Sequence, residues 1–399
     1  MIDVRGIDRV LQVHTRYRQA GGEDEVVAAE MRILRQAGVD VRQVIFDNAD
    51  VRDSESLIGD LRIAASAVWS RSAERRVRAA IRAHRPEVVH VHNTFTAASP
   101  SVYAAAAAYR VPVVQTLHNY RPVCPAATAF RDGHPCTDCV GRLVPWPGVL
   151  HACVRGSRSQ SLVVAASISV QRARRTYSSG IAGYVALTEF QRRLVIDGGL
   201  PAGRIRVIPN FLEPDPGVTT YPRAGVLFVG RLSIEKGIET LLNAASLVPG
   251  AVSVAGSGPL TAITERSHAA GHISYLGALA HASVLDAIRR TIALVLPSVW
   301  FEGFPIVVLE AFATGTPVIA TRIGSLAEVV EDGVTGLLAE VNDSTGLANR
   351  IRWSLDHPAQ MREMGTNARQ RYEARFSAAT HLQELQAMYA FVSERRPRP

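Results

Sequence analysis

Short apolar runs alternate with helical stretches in this chain, and the pattern is laid down twice. Val10 to His14 reads as a strand, and a polar, glycine-bearing loop follows from Tyr17 to Gly22. Glu25 to Gly38 then has amphipathic helical spacing that stops at glycine. Further strand readings fall at Val39 to Phe46, Val88 to Val91 and Val111 to Leu117, with helical stretches between them. The rhythm restarts near residue 225, with strands at Val226 to Val229, Val252 to Ala255, Ala293 to Leu296 and Val318 to Ala320, and a helix at Gly237 to Leu247. Alternation of this kind requires parallel sheets covered by helices. The expected fold is α/β, with two Rossmann-like domains whose parallel sheets face a shared cleft. Residues 1–208 would form the first domain, with a cysteine-containing insert at 121–155. Residues 209–224, with prolines at 209, 214, 216 and 222, would form a linker. Residues 225–377 would form the second domain. The segment 378–399, helical in pattern from Thr380 to Val392, is expected to pack back on the first domain. Ligands of such sheets sit beyond the carboxyl ends of the strands.

The bulk properties narrow the partners. A length of 399 residues suits two domains, and 47% apolar with 20% charged residues suits an ordinary globular protein. The formal charge of +8, nearly all of the excess arginine, favours anionic partners. No lysine-rich block or aromatic-spaced basic motif supports nucleic acid, and none is expected as a partner. The first residues lack the features of a secretory signal, and no apolar run approaches the ~18 residues that cross a bilayer. A cytoplasmic location follows as the expectation, with peripheral contact at the inner face of an anionic membrane. Two stretches motivate that contact. Leu61 to Pro86 carries Arg62, Arg71, Arg75, Arg76, Arg78, Arg82 and Arg85 against Glu74 alone. Val154 to Thr176 carries Arg155, Arg158, Arg172, Arg174 and Arg175 with no acid. A solvated basic face is the competing reading of both.

Four segments carry candidate chemistry. In Trp300 to Glu310 (WFEGFPIVVLE), Gly303 permits a tight backbone after a buried strand and Pro305 suits the first turn of a helix. The free amides around Phe304, Ile306 and Val307 then face an incoming anion. Glu302 and Glu310, taken singly, read as solvated surface charges. In Phe228 to Gly237 (FVGRLSIEKG), Arg231 and Lys236 flank a loop before a helix and form a clamp suited to a diphosphate. His118 follows a strand directly, with Asn119 beside it, and His90, His92 and Asn93 end another strand. Gly21 and Gly22, before Glu23, form a loop after the first strand through which backbone amides can approach a ligand. Gly256 and Gly258 (VAGSGPL) lack the third glycine of a dinucleotide fingerprint, and Pro259 intrudes.

The spacing of Glu302 and Glu310 resembles the E-x7-E motif of glycosyltransferase family 4, retaining enzymes of the glycosyltransferase-B fold. Phe228 to Gly237 resembles that family's GR-x-x-x-EKG signature. The resemblance implies that Glu302 holds the donor sugar, Glu310 the ribose, and Arg231 and Lys236 the donor diphosphate with the backbone of Gly303 to Val307. It implies that His118 lies beside the donor sugar, and that Gly256, Gly258, Leu276 and Gly277 lie on the nucleotide base side. Gly21, Gly22, His92, Asn93 and Asn119 are expected on the acceptor side. The implied activity is transfer of a hexose-type sugar from a UDP- or GDP-type donor to an acceptor sugar, glycolipid or small-molecule aglycone. Bacterial cell-surface polysaccharide, glycolipid or related glycoside synthesis is the implied setting. A nucleotide-sugar epimerase on the same fold and a non-catalytic nucleotide-sugar-binding partner are the alternatives.

No D-x-D occurs in the chain, so a metal-independent mechanism is expected, with no cofactor required for catalysis. Cys124, Cys136, Cys139 and Cys153 all fall within the insert, with one C-x-x-C. A structural zinc is one reading, with His134 and His151 as substitute ligands. Buried thiols, a redox pair and a disulfide are the others.

Overall fold

The computed structural model describes residues 7–16, 21–48, 65–218 and 221–394. Most of the expected loop after the first strand (17–20), the start of the first arginine-rich stretch (61–64, with Arg62) and the tail 395–399 lie outside the described residues. The chain forms two compact units. The first comprises Met1–Ala129, Thr137–Pro209 and Ala378–Pro399, the second Phe130–Cys136 and Asn210–Ser377.

In the first unit the strands β1 (Arg9–Arg16), β2 (Asp40–Asp47), β3 (Val88–Val91) and β4 (Val113–Thr116) bury mainly valine, with polar residues such as Gln12, His90 and Gln115 interspersed. A short hairpin, β5 (Phe130–Arg131) and β6 (His134–Pro135), belongs to the second unit. It turns through Asp132 and Gly133, both at positive φ, the two-residue turn that matches strand twist. β7 (Gly183–Ala186) and β8 (Ile205–Val207) complete the first unit's sheet in the order β2-β1-β3-β4-β7-β8, every pair parallel. The second unit's sheet is built from β9 (Val226–Val229), β10 (Val252–Ala255), β11 (Ile273–Tyr275), β12 (Ala293–Leu296), β13 (Val318–Thr321) and β14 (Gly336–Ala339). Its order is β11-β10-β9-β12-β13-β14, again all parallel. Fully buried strands such as VVHV, ALVL and VIAT follow from helices covering both faces of each sheet. The fold is α/β with two Rossmann-like units.

The topology fixes where chemistry can sit. In the first sheet the chain runs outward from β1 to β2 and returns on the other side of β1 as β3. In the second it runs outward through β9, β10 and β11 and returns beside β9 as β12. The carboxyl ends of β1/β3 and of β9/β12 are therefore the switch points at which such sheets hold ligands.

Several boundaries differ from the sequence reading: Phe130–Cys136, expected within the first domain's insert, falls in the second unit, and the first helix starts at Gly22 rather than Glu25. Residues 210–218, expected in a free linker, are tied to the second unit. Arg369 grips Asp215 with two 2.8 Å bonds, Arg289 donates to the Pro216 carbonyl, and Asn210 donates to the Phe304 carbonyl. The strand expected over Val111 to Leu117 is shorter, because the Val111 amide instead closes the preceding turn on Ala106. The terminal helix Ala378–Glu394 lies in the first unit's core. Leu385, Met388, Tyr389 and Val392 pack among Val10, Val88, Val114 and Val185, each such side chain contributing about 1.5–3 kcal/mol by burial. A Cβ at Gly183 would strike Met388 and Val392, so this packing needs glycine on β7.

Candidate active site

In the second unit Arg231 follows β9 and Glu302 follows β12, the two strands of the switch point. Glu302 is buried, and its Oε1 accepts from Lys236 Nζ and from Ser298 Oγ, each at 2.7 Å. The ammonium also lies 5.2 Å from the centre of the Trp300 ring. Local backbone explains the precision. Gly237 has φ +70°, and a Cβ there would collide with the Pro297 carbonyl. The Val299 amide bonds the Glu235 carbonyl, so the loop bearing Lys236 is clamped onto the loop bearing Glu302. Arg231 is exposed, and no hydrogen bond or ion pair engages it among the described residues.

Pro305 caps the helix Ile306–Ala313 without a side-chain bond, which places the backbone of Gly303, Phe304, Ile306 and Val307 at an open helix start. Glu310 lies within that helix, buried, with His281 Nε2 2.6 Å from its Oε1. Gly256 and Gly258 have a steric reason. A Cβ at either would run into the backbone of Gly230 or Leu232, so the loop after β10 lies directly on the Arg231 loop. Gly277 accepts the Gly256 amide at 2.7 Å at φ +68°, and Leu276 is exposed beside it. The second unit thus gathers Arg231, Lys236, Glu302, Glu310 and the two glycine loops around its switch point. Ser298, Trp300 and His281 are additions that the sequence reading missed.

In the first unit the switch point holds a histidine cluster. His118, after β4, has Nε2 3.1 Å from His92 Nδ1, and the rings stack at 5.4 Å. His92 Nε2 lies 3.2 Å from Oε1 of Glu30, off the line a hydrogen bond prefers. The same oxygen accepts from Gln12 at 2.7 Å and lies 3.0 Å from His90 Nδ1. His90 also meets the Tyr389 hydroxyl and Thr116 Oγ1, each at 2.8 Å. Burial alone would raise the Glu30 carboxyl, but the charges of His90 and His92 with bonds from His381 and His90 hold it well below the usual carboxylate range. Burial, reinforced by His92 and His14, holds His118 well below the usual histidine range, so its imidazole is neutral at pH 7. A polar cavity of about 40 Å³ lies against His118, His92, Asn119 and Arg121.

Other expected residues take different roles here. Asn93 donates to the Thr15 carbonyl and accepts the Phe95 amide, pinning the end of β3 to β1. Asn119 accepts the Arg121 amide. Gly21 precedes the helix Gly22–Gln36 at φ −140° with open space around it, so neither strain nor crowding requires glycine there. The negative end of that start is Asp24, 2.7 Å from His14 Nε2. None of the four cysteines is in a disulfide. Among the described residues, three metal-capable ligand atoms of His, Cys, Asp or Glu converge only at Glu30, His90 and His92, not at the cysteines. The expected zinc set thus gains no support from this geometry. The hydrogen bonds of Glu30 and His90 already account for their convergence.

Comparison with known proteins assigns the chain. Residues 21–210 match the glycosyl transferase 4-like domain, and residues 222–371 match the glycosyl transferases group 1. Glycogen synthase of Mycobacterium tuberculosis is 31% identical over 332 residues, covering 80% of this chain and 72% of that protein. Phosphatidyl-myo-inositol mannosyltransferase of Mycobacterium leprae is 31% identical over 221 residues, covering 51% of this chain and 57% of that one. The solved structure of Anabaena Alr3699/HepE in complex with UDP-glucose matches with a TM-score of 0.65 at 18% identity, covering 95% of this chain and 98% of that one, a likeness of fold. With both sheets, both matched domains and a relative aligned along most of its length in agreement, the chain belongs to the family 4 type of glycosyltransferases and is an enzyme of the glycosyltransferase-B fold.

Proposed function

We propose that the enzyme moves a sugar from a nucleoside diphosphate sugar to an acceptor hydroxyl with retention of anomeric configuration and without a catalytic metal. The observation that carries this reading is the buried Glu302 carboxylate held by Lys236 and Ser298 after β12, with Arg231 at the end of β9 in no hydrogen bond or ion pair among the described residues. Arg231, Lys236 and the amides at the start of Ile306–Ala313 supply a positive field for a leaving diphosphate, the electrostatic role that a metal plays elsewhere. Glu302 holds a sugar hydroxyl and Glu310 the ribose. The bond from the anomeric carbon to the diphosphate oxygen breaks, the acceptor oxygen bonds the same face, and its proton passes to the departing phosphate oxygen. No side chain is then obliged to act as base. His118 takes part as a neutral hydrogen-bonding group. The UDP-glucose held by the Anabaena protein, and the relatives' names, favour a nucleotide-activated hexose as donor and a glycan or glycolipid as acceptor.

A thermal-shift panel of UDP-, GDP- and ADP-sugars tests the donor class. A ligand at 100 times its Kd stabilises the folded state by about 2.7 kcal/mol. No shift with any of them sinks the reading. Incubation with donor alone separates transfer from epimerisation, since an epimerase converts the sugar nucleotide without an acceptor.

The cations give a second expected result. Arg231→Ala and Lys236→Ala each weaken donor binding by about 1.5–3 kcal/mol, roughly 10- to 100-fold, as lost charge-assisted contacts. Arg231→Ala leaves the melting temperature in place, because no hydrogen bond or ion pair holds that side chain among the described residues. Dialysis against EDTA leaves turnover intact. Activity lost to EDTA and restored only by magnesium or manganese would defeat the metal-independent mechanism.

A further inference from the structure

We propose that the helices Trp146–Leu150 and Arg158–Ala173 form a face by which this protein docks onto an anionic lipid bilayer. The longer helix buries Ser161, Val164, Ala165, Ile168 and Gln171 on one side. On the other it lays Leu162, Ala166 and Val170 at four-residue spacing, all exposed. A helix on a water-facing surface normally turns polar residues outward. This one is apolar on both sides, so its outer stripe lacks an explanation within the fold.

The stripe does not stand alone. Leu143, Val144, Trp146 and Leu150 are exposed next to it, and Trp146, Leu150 and Leu162 are 51%, 52% and 57% exposed. Six of the thirteen exposed large hydrophobic side chains among the described residues thus fall between positions 143 and 170. Between them runs an apolar groove of about 590 Å³, lined by Val144, Trp146, Val149, Leu150, Leu162 and Val170. Contiguous apolar surface of this kind marks an interaction site.

Charge decides the occupant. From Val140 to Thr188 the chain has no Asp or Glu but has Arg142, Arg155, Arg158, Arg172, Arg174 and Arg175. All but Arg172 are exposed, and Arg142 lies over the Trp146 ring at 5.3 Å. An apolar centre containing tryptophan with a cationic rim is the pattern of an interfacial helix on anionic lipid. A second copy of this chain fits poorly, because a twofold contact would set the same arginines against one another. The proposal is independent of the donor-site reading. It goes beyond the arginine pattern in the sequence by naming the apolar surface that enters the lipid.

The test is sedimentation of the full chain with vesicles of phosphatidylcholine alone or mixed with phosphatidylglycerol. The protein should pellet with the mixed vesicles at low salt and be released by high salt, since exposed charges are screened. Arg155→Gln with Arg158→Gln should weaken binding roughly 25-fold, at roughly fivefold per arginine. Trp146→Ser with Leu162→Ser should weaken it by more than about tenfold even at low salt, through lost apolar burial. All four side chains are exposed, so the variants should melt with the parent protein. Equal recovery from both kinds of vesicle overturns the proposal, as does unchanged binding by the Trp146→Ser/Leu162→Ser variant. Lipid-free self-association that this variant abolishes, seen by sedimentation velocity, would assign the face to a second copy and overturn it as well.

Discussion

Replacing Glu302 with alanine should cut turnover by about 10²–10³-fold, the scale seen when one group aimed at transition-state charge is removed. Nucleotide affinity should change far less, because Glu302 is assigned to the sugar and Glu310 to the ribose. The structure makes the loss specific. The carboxylate is buried, and its Oε1 fixes both the Lys236 ammonium and the Ser298 hydroxyl. Alanine removes the group that aims Lys236 as well as the sugar contact. The fold should survive, since the Lys236 side chain keeps 21% of its surface in water and can be solvated when its partner goes. Glu310→Ala should show the opposite split, with a raised KM for the donor and a smaller change in kcat. Steady-state kinetics with isothermal titration of the nucleoside diphosphate checks both. Unchanged turnover in Glu302→Ala removes the assignment of this site.

The charged residues of the second unit's candidate site could be read from sequence because they lie in two short segments, each beginning at a strand end. Glycine, proline and charge then fall at fixed offsets from that end. Four of that unit's strands were legible from their mainly apolar runs, VLFV, VSVA, ALVL and VIAT. β11 and β14 were missed, ISY because it is short and half polar, GLLA because glycine and alanine carry little strand signal. β7 begins with a glycine that only Met388 and Val392, some two hundred positions later, explain. The first unit's site was only half visible. His92 and His118 stand at strand ends, but nothing singled out Glu30 within the helix read from Glu25 to Gly38. The signal was present. Glu30 falls in the stripe of Val26, Val27, Ile33 and Leu34, where helical spacing calls for an apolar side chain. An acid at such a position announces buried partners, though not which ones. Those come from β1, β3 and the terminal helix, and only the folded topology brings them together.

That buried acid is where the largest effect on stability is expected. Glu30→Gln should destabilise the protein by about 1–3 kcal/mol at pH 6, the usual cost of leaving buried hydrogen-bonding groups without their partner. In a unit of this size that is roughly 2–12 °C in melting temperature. Glu30 lies within reach of His90, His92 and His381, at 3.0, 3.2 and 3.5 Å. The pH dependence has a definite sign. His14, His92 and His118 are lowered in the folded state, chiefly by burial. Below about pH 6.5 the unfolded chain therefore binds protons that the folded chain refuses, and stability falls as the solution is acidified. Glu30 is held below its ordinary value, so its contribution is fully present above about pH 4.5 and is lost as the pH falls through its depressed folded value. Removing its charge takes away a contribution that raises His92 and His118, lowers both further and steepens the loss on acidification. Chemical denaturation of wild type and Glu30→Gln at pH 8, 7, 6 and 5 should give curves that lie closest at pH 8 and diverge towards pH 5. Parallel curves would mean that the carboxylate does not carry the histidines' charge, and that the cluster is held together by its hydrogen bonds to Gln12, Thr116 and Tyr389 alone.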